Sequence, residues 1–562
     1  MRLIKILLAT LLLLNITILH AEKSLILSSA KIELDRAMKE LGTEENKPYF
    51  ISYGITDIQE YRLSASFGAI ITDQSTHERI LDVDLRVGDY NLDNTHIIRG
   101  QPFSFSFGSA TTYLPLEDDP AALRSAIWYA TDKHYKNAIE RYEKVVTNKA
   151  VKVEEDDQSP DFSRDEPSNY IEDVKDFDLK NDKWIEAVRK LSDMFNEKDW
   201  LYIGDVSFRF ELIRKYFVST EGAELQWQEP FARMAIVAKT KAEDGMSLPM
   251  YETYFAFSPD ELPDEVTLAN KVKEIIALLE AQRNAPLFTE TYSGPAMLSG
   301  EASGVLFHEI FGHRIEGHRL KDPNNAQTYK ESVGEKVLPE FIDVYMDPTV
   351  KELRGYDVSG YYKFDDQGVK AQKVNVVEDG ILHEFLMSRS PIDGFPKSNG
   401  HGRKEAGRSA VSRQSNLIVA TDESVSLNEL RDQLREQIRE QDKDFGLYFE
   451  KVQGGFTFTG RSIPNSFNVN PIIVYKVFAD GRPDELVRGV DLIGTPLTTF
   501  SNIIGAADDI GVFNGTCGAE SGGVPVSASS PTLLVSTIEV QRKQKSQAKP
   551  PILESPTTPK NQ

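Results

Sequence analysis

The stretch SGEASGVLFHEIFGHRIEGH, residues 299–318, holds three of the chain's nine histidines. His308, His313 and His318 stand five apart, and Glu309 directly follows the first. Ser299 is a residue type that caps helices, and Ala302, Val305, Leu306 and Ile310 fall at helical spacing. A helix is therefore predicted through His308 and Glu309. The histidine spacing does not suit that helix. Side chains four apart on a regular α-helix lie about 40° apart around the cylinder, whereas those five apart diverge by about 140°. Two ligands of one ion cannot diverge so far, so either the stretch is not a metal site or the helix is irregular here. Gly312, directly before His313, makes the second solution available, because glycine inside a helix is about 1 kcal/mol worse than alanine. A wider π-type turn of roughly 4.4 residues would bring the two imidazoles back to about 50° apart. A break at Gly312 would serve equally.

Two histidines are one ligand short, since a metal site that stays open to water commonly takes three protein ligands. His318 is the nearest candidate but again needs five residues of phase. Cys517, the chain's one cysteine, is the distant candidate. It lies in FNGTCGAESGGVPVSASSPTLLV, residues 513–535, where Gly515 and Gly518 allow close backbone approach. A thiolate is a strong ligand for zinc.

Outward from the histidines the texture differs on the two sides. Before them, residues 28–41 read as a helix stopped by Gly42, and 49–57, 59–73 and 78–88 as strands. A second helix is signalled by Asp119 as cap and Pro120 at the first position, running to about Val146. Residues 147–183 are acidic and poor in apolar side chains, and read as an exposed loop or linker. Strands are expected again at 202–218, 223–240 and 250–257, and a helix closes this half. After the histidines come short strands with tight-turn signals at Asp366-Gln367-Gly368, Asp379-Gly380 and Asp480-Gly481. One further helix fits 426–442. The expected fold class is α+β: an N-terminal α+β domain with an antiparallel sheet over 22–286, and a β-rich C-terminal domain over 287–541 that carries the histidine helix. Residues 542–562 read as a disordered, Pro-rich tail.

The net charge is −23, from 87 acidic and 64 basic residues, which argues against nucleic acid as a partner. An apolar fraction of 40% is ample for packed cores. Arg2 and Lys5 precede an apolar run over residues 6–19, and His20-Ala21 leads into charged residues. This is the layout of a secretory signal peptide over 1–21. It predicts an exported protein, periplasmic or secreted, with no stable membrane span after cleavage. The bulky Leu19 three positions before the cut keeps an uncleaved anchor as the alternative. A single cysteine excludes an internal disulfide.

Four ordered blocks carry a resemblance. They are GPAMLSGEASGVLFHEIFGHRIEGH, SNGHGRKEAGRSAVSRQSNLIV, VRGVDLIGTPLTTFSNI and NGTCGAESGGVPVSASSPTLLV, and together they resemble the TldD/PmbA family of zinc metallopeptidases over roughly residues 285–540. The resemblance implies that His308, His313 and Cys517 bind Zn2+ and that Glu309 is the general base. It implies a peptide or unfolded polypeptide as substrate, and a homodimer or a heterodimer with a related subunit. Arg403 and Arg413 read as substrate-binding or as strand-pinning residues, and His318 as an ordinary surface residue, as one that supports a ligand from behind, or as a substrate-binding residue that holds the oxyanion. The chain departs from the family in its signal segment, in His318 at an often acidic position, and in additions around 118–200 and at the tail. The competing reading is a non-catalytic metal-binding subunit of a peptidase-like assembly.

Overall fold

The computed structural model describes residues 22–98, 111–150, 157–177, 180, 182–322, 325, 327–457, 467–493 and 500–543. The expected signal segment 1–21, most of the expected tail and residues 494–499 of the third block lie outside the described residues.

In the first half, α1 (Leu25–Leu41) starts where the Ser24 hydroxyl accepts the Leu27 N–H. The three strands expected between 49 and 88 are two. β1 (Pro48–Ser66) and β2 (Ala69–Val87) pair antiparallel around a turn in which Phe67 and Gly68 both have positive φ, 47° and 84°. A two-residue turn of that kind matches strand twist. Phenylalanine in its first position hides the signal from a sequence reading. α2 (Pro120–Ala150) is capped by Asp119, whose carboxylate accepts the Ala122 N–H. α3 (Asp182–Asp193) was not anticipated; its Trp184, Val188 and Leu191 are buried on one face. β3 (Ile203–Ser219), β4 (Glu224–Lys241), β5 (Ser247–Ala256) and α4 (Glu265–Asn284) complete the half.

The sheet runs in the order Thr112–Tyr113, β2, β1, β3, β4, Asn169–Ile171, with β5 also on β4. Its pairings are antiparallel except that of Asn169–Ile171, which is parallel to β4. Alternation along the strands sends Ile51, Tyr53, Ile55, Tyr61, Leu63, Phe208, Phe210, Met234 and Ile236 to one face, where helices cover them. Arg62, Arg209, Glu211 and Arg233 therefore point to the opposite face.

The acidic stretch is not simply an exposed loop. Phe162 is 2% exposed and lies between the guanidiniums of Arg86 and Arg389, 3.7 and 4.0 Å from its ring centre. Asp161 accepts from the Asp93 N–H and from His96. Ser163 and Arg389 exchange backbone and side-chain hydrogen bonds, and Lys321 donates to Pro160 O. One aromatic ring and paired charges thus dock a segment whose composition alone reads as solvated.

The second half contains β6 (Tyr292–Leu298), α5 (Gly300–Ile310), β7 (Ile342–Met346), β8 (Val374–Glu378), β9 (Asn416–Thr421), α6 (Leu427–Glu440), β10 (Gly446–Thr457), β11 (Phe467–Val477), β12 (Gly511–Ala519), β13 (Gly522–Ser530) and β14 (Leu533–Arg542). One sheet is ordered Ile381–Leu382, β8, β7, β9, β13, β12; the other is Glu485–Val487, β11, β10, β6, β14, Val490–Ile493, with Ile503–Ala506 on β14. The chain is thus α+β, with a mainly antiparallel N-terminal sheet and a β-rich C-terminal half. α5 packs against strands of both C-terminal sheets, and its Val305, Leu306 and Ile310 join their shared core. Gly304 permits this: a side chain there would stand 2.8 Å from Ala528 O of β13. Among the described residues no helix is long and apolar enough to cross a membrane.

Candidate metal centre

The five-residue spacing is solved by a break. α5 is regular through His308 and Glu309 and ends at Ile310, where the Phe311 N–H still bonds Phe307 O. Gly312–Arg314 then forms a single 3₁₀ turn. Glycine is required at 312 for a second reason. A side chain there would overlap the Gln414 amide, which itself donates to His308 O. Arg314 fixes the helix end by donating to the carbonyls of Glu309 and Ile310. A cation at this terminus also offsets the helix dipole.

The break turns His313 towards His308; their ring centres are 5.2 Å apart at an interplanar angle of 72°. Cys517 arrives from β12, with Sγ 3.4 Å from His313 Nε2. One donor atom from each of His308, His313 and Cys517 lies within 4.8 Å of the other two, and all three residues are buried. With Glu309 they line a cavity of about 400 Å³, which Val305, Arg319, Gly454, Gly455, Phe513, Thr516 and Glu520 help to enclose.

The surroundings orient these groups. His313 Nδ1 faces Glu316 Oε2 at 3.2 Å, so its Nε2 is the atom presented to Cys517. Glu316 is fully buried and accepts from Arg319 Nε at 2.7 Å. Burial disfavours the Glu316 carboxylate, but His313 and Arg319 outweigh it and hold the group at about 2. Burial likewise opposes the His313 cation, yet Cys517 and Glu316 push it up to about 10. Against its own burial, the Cys517 thiol is drawn well below its ordinary value by the two histidines. Burial raises the Glu309 carboxyl, partly countered by His308 and His313.

The donor set fits a divalent metal. Two imidazoles and a stabilised thiolate converge, and His308 Nδ1 is buried with no hydrogen-bond partner. Nitrogen and sulfur donors suit zinc among the common biological cations.

The remaining sequence candidates are placed elsewhere. His318 is buried against Glu520 and does not line the cavity. Arg413 donates to Ser521 Oγ, Gly522 O and Cys517 O, which ties the cysteine's strand to the Glu316 side of the site. Arg403 donates to Gln414 O and Pro525 O and stacks over Tyr362. Both arginines spend these donors on the protein itself. Sequence reasoning missed Arg319, Glu520 and Gly454-Gly455 in the cavity wall, because nothing in their spacing marks them.

β12 is an edge strand: among the described residues no strand pairs on its outer side. Pro525 stands opposite Thr516, has no N–H, and gives its carbonyl to Arg403. That pair is therefore of the non-hydrogen-bonded kind, and the backbone N–H and C=O of Thr516 face the open edge beside Cys517.

An α+β scaffold that buries two imidazoles and a thiolate beside a helical glutamate is metallopeptidase-like in class. Residues 289–542 match the PmbA/TldA metallopeptidase C-terminal domain. That match and the curated TldD homologs similar to this chain support the TldD/PmbA family over its C-terminal half. It is 31% identical over 265 residues to a metalloprotease of Archaeoglobus fulgidus, covering 47% of this chain and 56% of that protein. It is 24% identical over 341 residues to the zinc metalloprotease TldD homolog of Saccharolobus solfataricus, covering 60% and 70%. The chain spans about half the length of the first curated relatives it matches. Its fold is shared with TldE from Thermococcus kodakarensis, at a TM-score of 0.61 and 13% identity over 91% of this chain and all of that one.

Proposed function

We propose that this chain is an exported, zinc-dependent peptidase of the metal-bearing TldD type, acting on peptides or unfolded polypeptides. The observation that carries the reading is the convergence of His308, His313 and Cys517 on one cavity that Glu309 also lines. His308, His313 and Cys517 would hold the ion. Zinc bound there would supply Lewis acidity and bring a water's pKa towards neutrality. Glu309 then accepts the proton of the attacking water and returns it to the leaving amine. The open edge of β12 holds the substrate as an added strand, so that backbone pairing gives affinity for chains of varied sequence. Gly454 and Gly455 leave room on the facing wall. A second subunit, a copy or a related chain, fits the family. Residues 1–21 act as a cleaved export signal, and sequencing of the exported protein should begin at Glu22; a cytoplasmic, uncleaved product would overturn that part.

Glu309→Gln tests the chemistry. The variant should retain about one zinc per chain, measured by elemental analysis. Its peptide hydrolysis should fall by roughly 10² to 10⁴. Normal turnover would sink the mechanism. Wild-type chain that carries zinc yet hydrolyses no peptide would favour the non-catalytic subunit instead.

A further inference from the structure

Arg233 lies on β4, on the sheet face that the helices of the first half leave uncovered. Its Nη2 reaches across to Gly515 O of β12 at 3.4 Å. Gly515 is two residues from Cys517, about 7 Å along the strand. The Arg233 guanidinium stands 5.2 Å from the centre of the Phe255 ring, and Phe255 in turn packs on Phe231 and Phe257. Glu211 on the neighbouring strand is already paired with Arg209 at 2.5 Å. Among the described residues no carboxylate forms an ion pair with Arg233. Burial pushes the guanidinium down to about 10, with Glu211 opposing that shift and Arg209 adding to it. This half-buried cation has gained only a long hydrogen bond and a ring face. A carboxylate supplies what is missing, because a planar guanidinium takes it through two parallel N–H donors.

Resting on the reading that β12 receives an extended peptide, we propose that Arg233 is a specificity residue that binds a substrate carboxylate two strand positions from Cys517. The carboxylate is a peptide C-terminus or an Asp or Glu side chain; the chemistry at the guanidinium is the same. On a chain of net charge −23, a half-buried cation without an ion-pair partner beside the edge strand favours one register of an acidic peptide. Arg403 and Arg413 are not alternatives, since both donate to protein carbonyls.

The test measures binding rather than turnover. Three dye-labelled peptides of one neutral sequence are titrated onto zinc-loaded full-length Glu309→Gln protein. One is amidated, one has a free C-terminal carboxylate, and one is amidated with a single internal aspartate. At least one carboxylate peptide should bind about tenfold tighter than the neutral one, as expected for a charge-assisted hydrogen-bonded pair. Adding Arg233→Gln should bring the ratio to about one, and Arg233→Lys should keep part of it, with zinc content reporting that the fold survives. The peptide that gains identifies the source of the carboxylate. Equal binding of all three, no binding of any, or discrimination that persists in Arg233→Gln overturns the proposal. Discrimination that depends on Arg233 in a chain whose wild type hydrolyses none of the three overturns the peptidase reading alone.

Discussion

At the residue scale the centre is built from side chains whose charges depend on one another. Glu316 holds His313, and both histidines stabilise the Cys517 thiolate. Removing Cys517 takes away the one anionic donor of the three. Cys517→Ser should therefore lose its zinc on elemental analysis while keeping its circular dichroism spectrum, because the residue lies on the edge strand of its sheet and serine is close in size. Full zinc and full activity in that variant would refute the ligand role. Much of this cluster was legible. Three histidines in eleven positions, a glutamate beside the first and a lone cysteine between glycines are marks that chemistry leaves in a sequence. His318 shows the limit of spacing as a guide. It continues the five-residue rhythm, but the chain has already turned into Gly312–Arg314, and its imidazole meets Glu520 instead. Arg319 and Glu520 were invisible for the converse reason: they come together only when β12 folds back over α5.

At the element scale the decisive feature is where α5 stops. The sequence offered a wide turn or a break at Gly312, and the structure takes the break because the Gln414 amide occupies the space a side chain would need. Gly312→Ala should therefore cost about 1–3 kcal/mol, as overpacking does in a filled core. A lowered melting temperature would report it, and weaker zinc binding should accompany it as His313 is displaced. Shortening the neighbour in Gly312→Ala/Gln414→Ala should recover part of the loss. A single mutant as stable as wild type would show that the contact is soft. Helix positions elsewhere were readable from caps, as at Asp119, where a side chain satisfies an orphaned backbone N–H group. Strand lengths were not. β1 and β2 run through polar residues, and their turn begins with Phe67, so the apolar runs suggested three strands where backbone pairing makes two.

At the scale of the whole molecule, the contacts between the halves were the least legible part. Composition marked 147–183 as solvated, yet Phe162 and Asp161 are buried where that segment meets Arg389 and Lys321. Such contacts join residues hundreds of positions apart, and no local pattern encodes them. A second long-range device governs stability as a function of pH. His401 is fully buried. Its Nδ1 faces Asn399 O at 3.1 Å, and its Nε2 faces Ser415 Oγ at 3.1 Å. A carbonyl only accepts, so Nδ1 carries the proton and Nε2 accepts from the serine hydroxyl. Burial, aided by the nearby Arg403 cation, depresses this histidine to about 3 and keeps it neutral. An unfolded histidine titrates near 6.5. Between these values the unfolded chain binds the extra proton, so stability is intact above about pH 7 and falls as pH drops below 6.5. At pH 5 the loss from this one group should be about 2 kcal/mol. Urea unfolding at pH 7.5 and pH 5.0 measures it. His401→Gln will be less stable at both values, but its further loss on acidification should be smaller than the wild type's by about that amount. An identical loss in the two proteins would mean that His401 takes up its proton inside the fold.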